Sequence, residues 1–370
     1  MTQPHADYDT IVVGGGPSGA TAAHELANKG HRVLLLERGF RIKPCGGAIP
    51  PCLLQEFTIP DHLVVARIRS ARMISPKGQS VDMPIDGTFV GMVDRDEFDP
   101  WLRQRASDAG ATVVPGVFKS LEYQEELVSL TYQTKDENPR SVTVTARSVL
   151  GADGARSAVA RATIPDAEKT PWVLAYHEII EVPEDQNWDA YDPDRCDVWY
   201  QGRLSPDFYA WVFPHGKNAS IGVGSAHKDF SAKASVAALR ADVGLAEATT
   251  KRKEGAPIPM KPMKRWDDGP QDDSLHDCNA CDGVVAREWV HCARVRQAYE
   301  EGTELAHAAR AFRVPPRQRV RGCGGNYSHV LRSVEGRAAF LQLLARRAAV
   351  REQACSTTSH TFPDDCRSKE

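Results

Sequence analysis

The sequence predicts an α/β protein: a Rossmann-type dinucleotide-binding domain carrying an inserted antiparallel β-sheet domain, followed by an atypical C-terminal region. Three observations predict it. Residues 9–37 read as strand, glycine loop, helix and strand in immediate succession. A later strand ends in Gly151-Ala-Asp153-Gly154, and Tyr209, Trp211 and Phe213 alternate with the period of a strand.

Asp9-Thr-Ile-Val-Val13 is a short β-branched run that ends at Gly14, as a buried parallel strand does. Gly14-Gly15-Gly16-Pro17-Ser18-Gly19 follows with the spacing G-x-G-x-x-G. Ala20, Ala23, Leu26 and Ala27 then share one helical face, and Gly30 is placed to end that helix. The next strand, Val33-Leu-Leu-Leu36, finishes in Glu37 and Arg38, both placed to meet the nucleotide. In such a motif Gly14 permits the tight turn, Gly16 lets the backbone approach a pyrophosphate, and Gly19 lets helix and strand pack closely. The anion sits on the helix N-terminus, beside Pro17 and Ser18. Glu37 suits ribose hydroxyls and would repel a 2′-phosphate, which disfavours NADP in this site. The motif alone does not separate FAD from NAD.

At 370 residues the chain can bury a core large enough for one two-part unit or two domains. Its net charge is 46 − 49 = −3, too slight to suggest nucleic acid as a partner. No apolar run reaches the roughly 18 residues of a spanning helix, and the N-terminus lacks signal or transit-peptide features. A cytoplasmic chain is therefore expected. Cys45, Cys52 and Cys196 are scattered and read as free thiols in a reducing compartment.

The second glycine motif separates the cofactors. Ser148-Val-Leu-Gly-Ala-Asp-Gly-Ala-Arg-Ser157 resembles the second flavin motif of the para-hydroxybenzoate hydroxylase-like flavoproteins, a group within the glutathione reductase-like fold. The resemblance implies FAD, with Asp153 and Gly154 beside it. Val93-Asp-Arg-Asp-Glu-Phe-Asp99 opens a helix through Trp101, Leu102 and Arg105. The resemblance gives Arg95 a reach to the FAD; by itself it is a first-turn arginine among N-terminal acids.

Two further stretches resemble the geranylgeranyl reductases, especially their chlorophyll and bacteriochlorophyll branch. Arg41-Ile-Lys-Pro-Cys-Gly-Gly-Ala-Ile-Pro-Pro51 is one. There Gly46 and Gly47 would let backbone pass the flavin ring and Cys45 would lie near its reactive face, the alternative being a buried inert thiol. Pro206-Asp-Phe-Tyr-Ala-Trp-Val-Phe-Pro214 is the other, matching P-x-x-Y-x-W-x-F-P. Tyr209, Trp211 and Phe213 would wall a channel for an isoprenoid chain, or else fill a sheet core. Ala71–Pro76, Val173–Ile180 and Glu254–Met260 extend the likeness, which runs from about residue 7 to 267.

The domain boundaries expected are 7–170, with discontinuous later segments, for FAD; 171–267 for the substrate sheet; and 268–370 for a divergent or out-of-frame tail. The family's third flavin motif, G-D-A-A-G, is absent after Gly269, and the last hundred residues hold fourteen arginines, one lysine and six cysteines. Cys278-x-x-Cys281 with adjacent His291 and Cys292 is a poor zinc set, so no metal is expected. A helical patch around Ala338–Val350 carries Phe340, Leu343 and Leu344 on one side.

The resemblance implies hydrogenation of a geranylgeranyl side chain to phytyl, on a pigment or on geranylgeranyl diphosphate, with FAD bound and NADPH as donor. Cys45, Tyr209 and His177 are the candidate proton donors. The alternatives are an FAD-dependent aromatic hydroxylase, or an inactive remnant lacking the third flavin motif. An isoprenoid substrate implies peripheral contact with photosynthetic membranes.

Overall fold

Ile11, Val12 and Val13 face Leu34, Leu35 and Leu36 in a parallel ladder, and all six are almost wholly buried. Val12 and Leu35 pack with Ala20, Ala23 and Leu26 of the intervening helix. Ile11, Val13, Leu34 and Leu36 pack with Val128, Leu130 and Val149 on the opposite face. Cover on both faces explains runs that are apolar throughout and not alternating. The computed structural model describes residues 5–39, 42–124, 127–184, 190–261 and 275–277, all within the compact unit Met1–Arg313. Cys278, Cys281, His291, Cys292 and the helix expected around Ala338–Val350 lie outside the described residues.

In chain order, β1 (Tyr8–Val13) leads through the glycine loop into α1 (Pro17–Asn28) and β2 (Val33–Glu37). A loop then reaches β3 (Ala48–Ile49), α2 (Pro51–Glu56), β4 (Val64–Ile68), β5 (Ser70–Ile74), β6 (Ser80–Pro84) and β7 (Val90–Val93). Next come α3 (Arg95–Asp108), β8 (Thr112–Gln124), β9 (Leu127–Thr134), β10 (Ser141–Gly151) and α4 (Ala158–Thr163). The remaining elements are β11 (Trp172–Glu181), β12 (Arg195–Trp199), β13 (Ala210–His215), β14 (Asn218–Ser225), α5 (Ala232–Asp242), β15 (Thr250–Pro259) and β16 (Leu275–Asp277).

Three sheets result. In the first, β2 and β10 flank β1 in parallel, β8 joins β2, and β16 joins β10. The alternating run Ser141–Thr145 pairs antiparallel with β9, while the rest of β10 runs parallel to β1. One long strand thus serves both an outer meander and the nucleotide sheet.

The second sheet has the order β15-β11-β14-β13-β12-β5-β6 and is antiparallel except where β12 meets β5. It draws β5 and β6 from well before residue 171, because Arg195–Trp199 finds its free edge partner in Ser70–Ile74. One face is closed by α5: Val236 and Leu239 pack with Ile180, Ala210, Val212, Ile221 and Val223. The opposite face of β13 is left to Trp211, Phe213 and His215. A small third sheet, β3-β7-β4, connects the loop before β3 to α3.

Candidate active site

The glycines of the first loop are required by their neighbours. Gly14 has φ +109°, and a Cβ there would lie 2.1 Å from the Ala152 carbonyl oxygen. A Cβ on Gly19 would lie 1.9 Å from the Gly14 carbonyl oxygen. At Gly16 the nearest atom to such a Cβ is the Lys43 Nζ, at 3.2 Å. The helix begins there, with Gly16 as N-cap, Pro17 in the first turn and no acidic residue in that turn. A helix N-terminus under a lysine ammonium is a site for an anion.

The peptide of Gly15 is held from both sides. Its N–H donates to Glu37 Oε2 at 2.7 Å, and its carbonyl accepts from Arg103 Nη1 at 3.1 Å. Glu37 Oε1 also accepts from the Gly39 N–H at 3.2 Å. A carboxylate has about four lone-pair positions, so Glu37 retains acceptor capacity for ribose hydroxyls. Arg38 is exposed beside it. The glycine cradle, Lys43 and Glu37 together fit the pyrophosphate and ribose of a dinucleotide.

Asp153 has a local task. It accepts from the Ser157 hydroxyl at 2.5 Å and from the Ala158 N–H at 2.6 Å, while Ser157 caps α4 through the Ala160 N–H. Gly154 (φ +91°) makes the turn, whose backbone passes against Gly14: the Asp153 nitrogen would lie 2.8 Å from a Cβ on that glycine. The second motif therefore abuts the first.

The loop before β3 meets the aromatic strand. A Cβ on Gly46 would lie 3.1 Å from the Phe213 ring. Gly47 has φ +69°, and a Cβ there would lie 2.4 Å from the Val93 carbonyl oxygen. Its N–H points to Cys45 Sγ at 3.4 Å. Arg95 forms a buried bidentate pair with Asp99, at 2.6 and 2.9 Å, and lies near the Cys45 thiol. Burial pulls the guanidinium pKa down, but Asp99 and Cys45 outweigh it and the net direction is up. Arg95 is thus a buried, permanently charged group beside Cys45.

Tyr209 immediately precedes β13, and its ring meets Trp211 edge-on at 5.9 Å; Trp211 and Phe213 follow at 6.1 Å. Burial, then Tyr200 and Cys45, push the Tyr209 phenol up to about 12. Trp211 donates its indole N–H to Ser220 at 3.2 Å. His177 stands behind that indole. Its Nδ1 meets Ser220 Oγ at 2.8 Å and its Nε2 lies 3.0 Å from Glu254. Burial raises the Glu254 carboxyl, yet His177 and Arg252 hold it below its usual value. The structure thus gives His177 a hydrogen-bonding role within the sheet and leaves Cys45 and Tyr209 at the meeting of loop and wall.

Trp211 lies across Gly222, where a Cβ would be 2.2 Å from its Cζ2 and 2.6 Å from the His177 Cβ. Gly222→Ala is expected to expel the indole, shifting tryptophan fluorescence to the red and costing about 1–3 kcal/mol in urea unfolding.

Sequence motifs do not single out Lys43, Asp94, Asp99, Arg103 or His215. Lys43 sits inside the quoted glycine–cysteine motif, and Asp99 lies four residues after Arg95 on a helix, so both had a local signal. Arg103 and His215 had none, since their partners are remote in sequence.

One comparison decides the family. Over 305 residues the chain is 53% identical to the geranylgeranyl diphosphate reductase of Rhodobacter capsulatus, covering 82% of this chain and 75% of that protein. The chain belongs to the geranylgeranyl reductase family. It spans 56% to 65% of the length of the plant and cyanobacterial reductases that it also matches. Residues 12–49 of this reductase-family chain match the NAD(P)-binding Rossmann-like domain. Among solved structures it resembles a geranylgeranyl bacteriochlorophyll reductase-like protein from Thermoplasma acidophilum, at TM-score 0.70, 22% identity and 82% coverage of each chain. It also resembles a variant of the flavin-dependent brominase Bmp2, at TM-score 0.66 and 14% identity, covering 83% of this chain and 84% of that one. These similarities establish the flavoprotein fold of this family member.

Proposed function

We propose that this chain is an FAD-dependent reductase that hydrogenates the isolated double bonds of a geranylgeranyl group, forming phytyl, with NADPH as reductant. The substrate is geranylgeranyl diphosphate or the geranylgeranyl ester of a chlorophyll or bacteriochlorophyll. The observation that carries the reading is the contact of Gly46 with Phe213, which sets the cysteine loop against an aromatic wall. That loop leads back through Lys43 to the dinucleotide cradle.

Bound FAD would supply hydride, and Gly46 and Gly47 are placed to let its ring approach. An isolated alkene has no carbonyl to take up charge, so positive character develops at one carbon and water must be kept away. Trp211 is 6% exposed, and with Tyr209 and Phe213 it offers π faces and a dry surface to such a centre and to the apolar tail. Tyr209, with its pKa raised, keeps its phenolic proton at neutral pH and, with Cys45, is a proton source at the wall. Arg95 and Lys43 would place positive charge beside bound FAD, and Glu37 would accept hydrogen bonds from its ribose hydroxyls.

Reduction is expected to proceed without oxygen. Purified protein should be yellow or take up FAD, and anaerobic incubation with NADPH and geranylgeranyl diphosphate should yield phytyl diphosphate. Turnover that requires oxygen would establish the hydroxylase instead, and a folded chain that stays colourless with added FAD would establish an inactive remnant. The apolar substrate also argues for a cytoplasmic protein in peripheral contact with the photosynthetic membrane. Among the described residues no helix is long and apolar enough to cross one.

A further inference from the structure

We propose that His215, acting with Asp94, is a positioning residue that clamps the Cys45-Gly46-Gly47 loop against the aromatic wall. His215 closes β13 two residues after Phe213, so it emerges on the same face as the wall. It is 5% exposed, and both of its ring nitrogens are engaged. Nδ1 lies 2.9 Å from Asp94 Oδ1, and Nε2 lies 3.1 Å from the carbonyl oxygen of Gly46.

Both partners are acceptors. Each ring nitrogen thus faces one oxygen, so a side chain that serves both must present donors in two directions. The ring bridges a carboxylate and a loop carbonyl, two groups on segments far apart in the chain. Asp94 is the residue before α3, and its side chain caps none of that helix's N–H groups. Its carboxylate, 34% exposed, faces the histidine instead.

The clamp sits where the loop has least slack. Gly47 is in the left-handed region, and a Cβ on it would lie 2.7 Å from His215 Cε1, so the imidazole occupies the space that the missing side chain leaves. The Gly47 carbonyl also accepts from the Val93 N–H at 2.9 Å. Arg95, next after Asp94, lies near enough to Cys45 to feel its charge. The loop is thus tied to the end of β7 and the start of α3 by the Val93–Gly47 backbone bond and by Asp94, which holds the Gly46 carbonyl through His215.

The purpose of the clamp rests on the reductase reading, but its existence is tested without turnover. In purified full-length chain, alkylation of Cys45 by iodoacetamide is followed by peptide-resolved mass spectrometry, with Cys52 and Cys196 as internal controls. His215→Gln offers one amide to two acceptors and should label Cys45 roughly tenfold faster, with the controls unchanged. His215→Lys supplies several donors and a positive charge, and should return the rate to within about twofold of the parent. Asp94→Asn reads the same clamp from its other end and should also accelerate labelling, which keeps the test open if His215→Gln does not fold. Unchanged Cys45 labelling in a folded His215→Gln or Asp94→Asn chain overturns the proposal. So does a His215→Lys chain that labels like His215→Gln. A chain with the expected labelling pattern but no alkene reduction would sink the proposed function and leave the clamp standing.

Discussion

Gly19→Ala is expected to give a folded chain whose affinity for FAD is reduced by about 100-fold or more. The added methyl would sit 1.9 Å from the Gly14 carbonyl oxygen, which is backbone and cannot rotate aside. The first turn of α1 must therefore lift from the glycine loop, carrying the helix N-terminus away from the pyrophosphate. Gly16→Ala is the contrasting variant: its methyl meets the flexible end of Lys43 at 3.2 Å, and the residue has φ −76°, so folding is undisturbed. Its effect falls on the ligand side, through the space between Lys43 and the bound anion. Quenching of flavin fluorescence on titration measures both, with far-UV circular dichroism as the check on folding. Parent-like FAD affinity in Gly19→Ala would remove the assignment of this loop as the cofactor cradle.

Replacing Asp99 by Ala is expected to lower stability by about 3–5 kcal/mol, because it strands a buried guanidinium without its counter-charge. Asp99 is 3% exposed and Arg95 9%, with both oxygens of the carboxylate bonded to the guanidinium. Removing both charges together, as in Arg95→Met with Asp99→Leu, should restore most of the loss, since no unpaired ion remains. Urea midpoints of the two variants and the parent give the comparison. A single Asp99→Ala variant as stable as the parent would mean that the pair is hydrated and that Arg95 does not form a fixed wall beside Cys45.

The fold was legible where a few adjacent residues carry the whole signal. The run Asp9–Val13, the glycine spacing and Glu37 report a parallel βαβ start, because steric demands at Gly14 and Gly19 and burial on both faces leave few other residue choices. The alternation of Tyr209, Trp211 and Phe213 likewise reports a strand with one aromatic face. Less legible was Ser141–Thr145, whose alternation fits any half-covered antiparallel strand and does not say which sheet it joins. The same limit hid the recruitment of β5 and β6 into the second sheet, since strand pairing across more than a hundred residues leaves no local pattern.

Taken alone, the amino-acid order determined a dinucleotide loop, a glycine–cysteine loop and an aromatic strand, because each is a matter of short-range sterics or period. Tertiary structure alone decided that the three meet, and through which atoms. Lys43 over Gly16, Arg103 on the Gly15 carbonyl, and His215 between Asp94 and Gly46 are contacts between segments far apart in the chain. The reason is physical: a hydrogen bond or ion pair depends on where two groups end up after the sheets pack, and nothing in the spacing of either partner records the other.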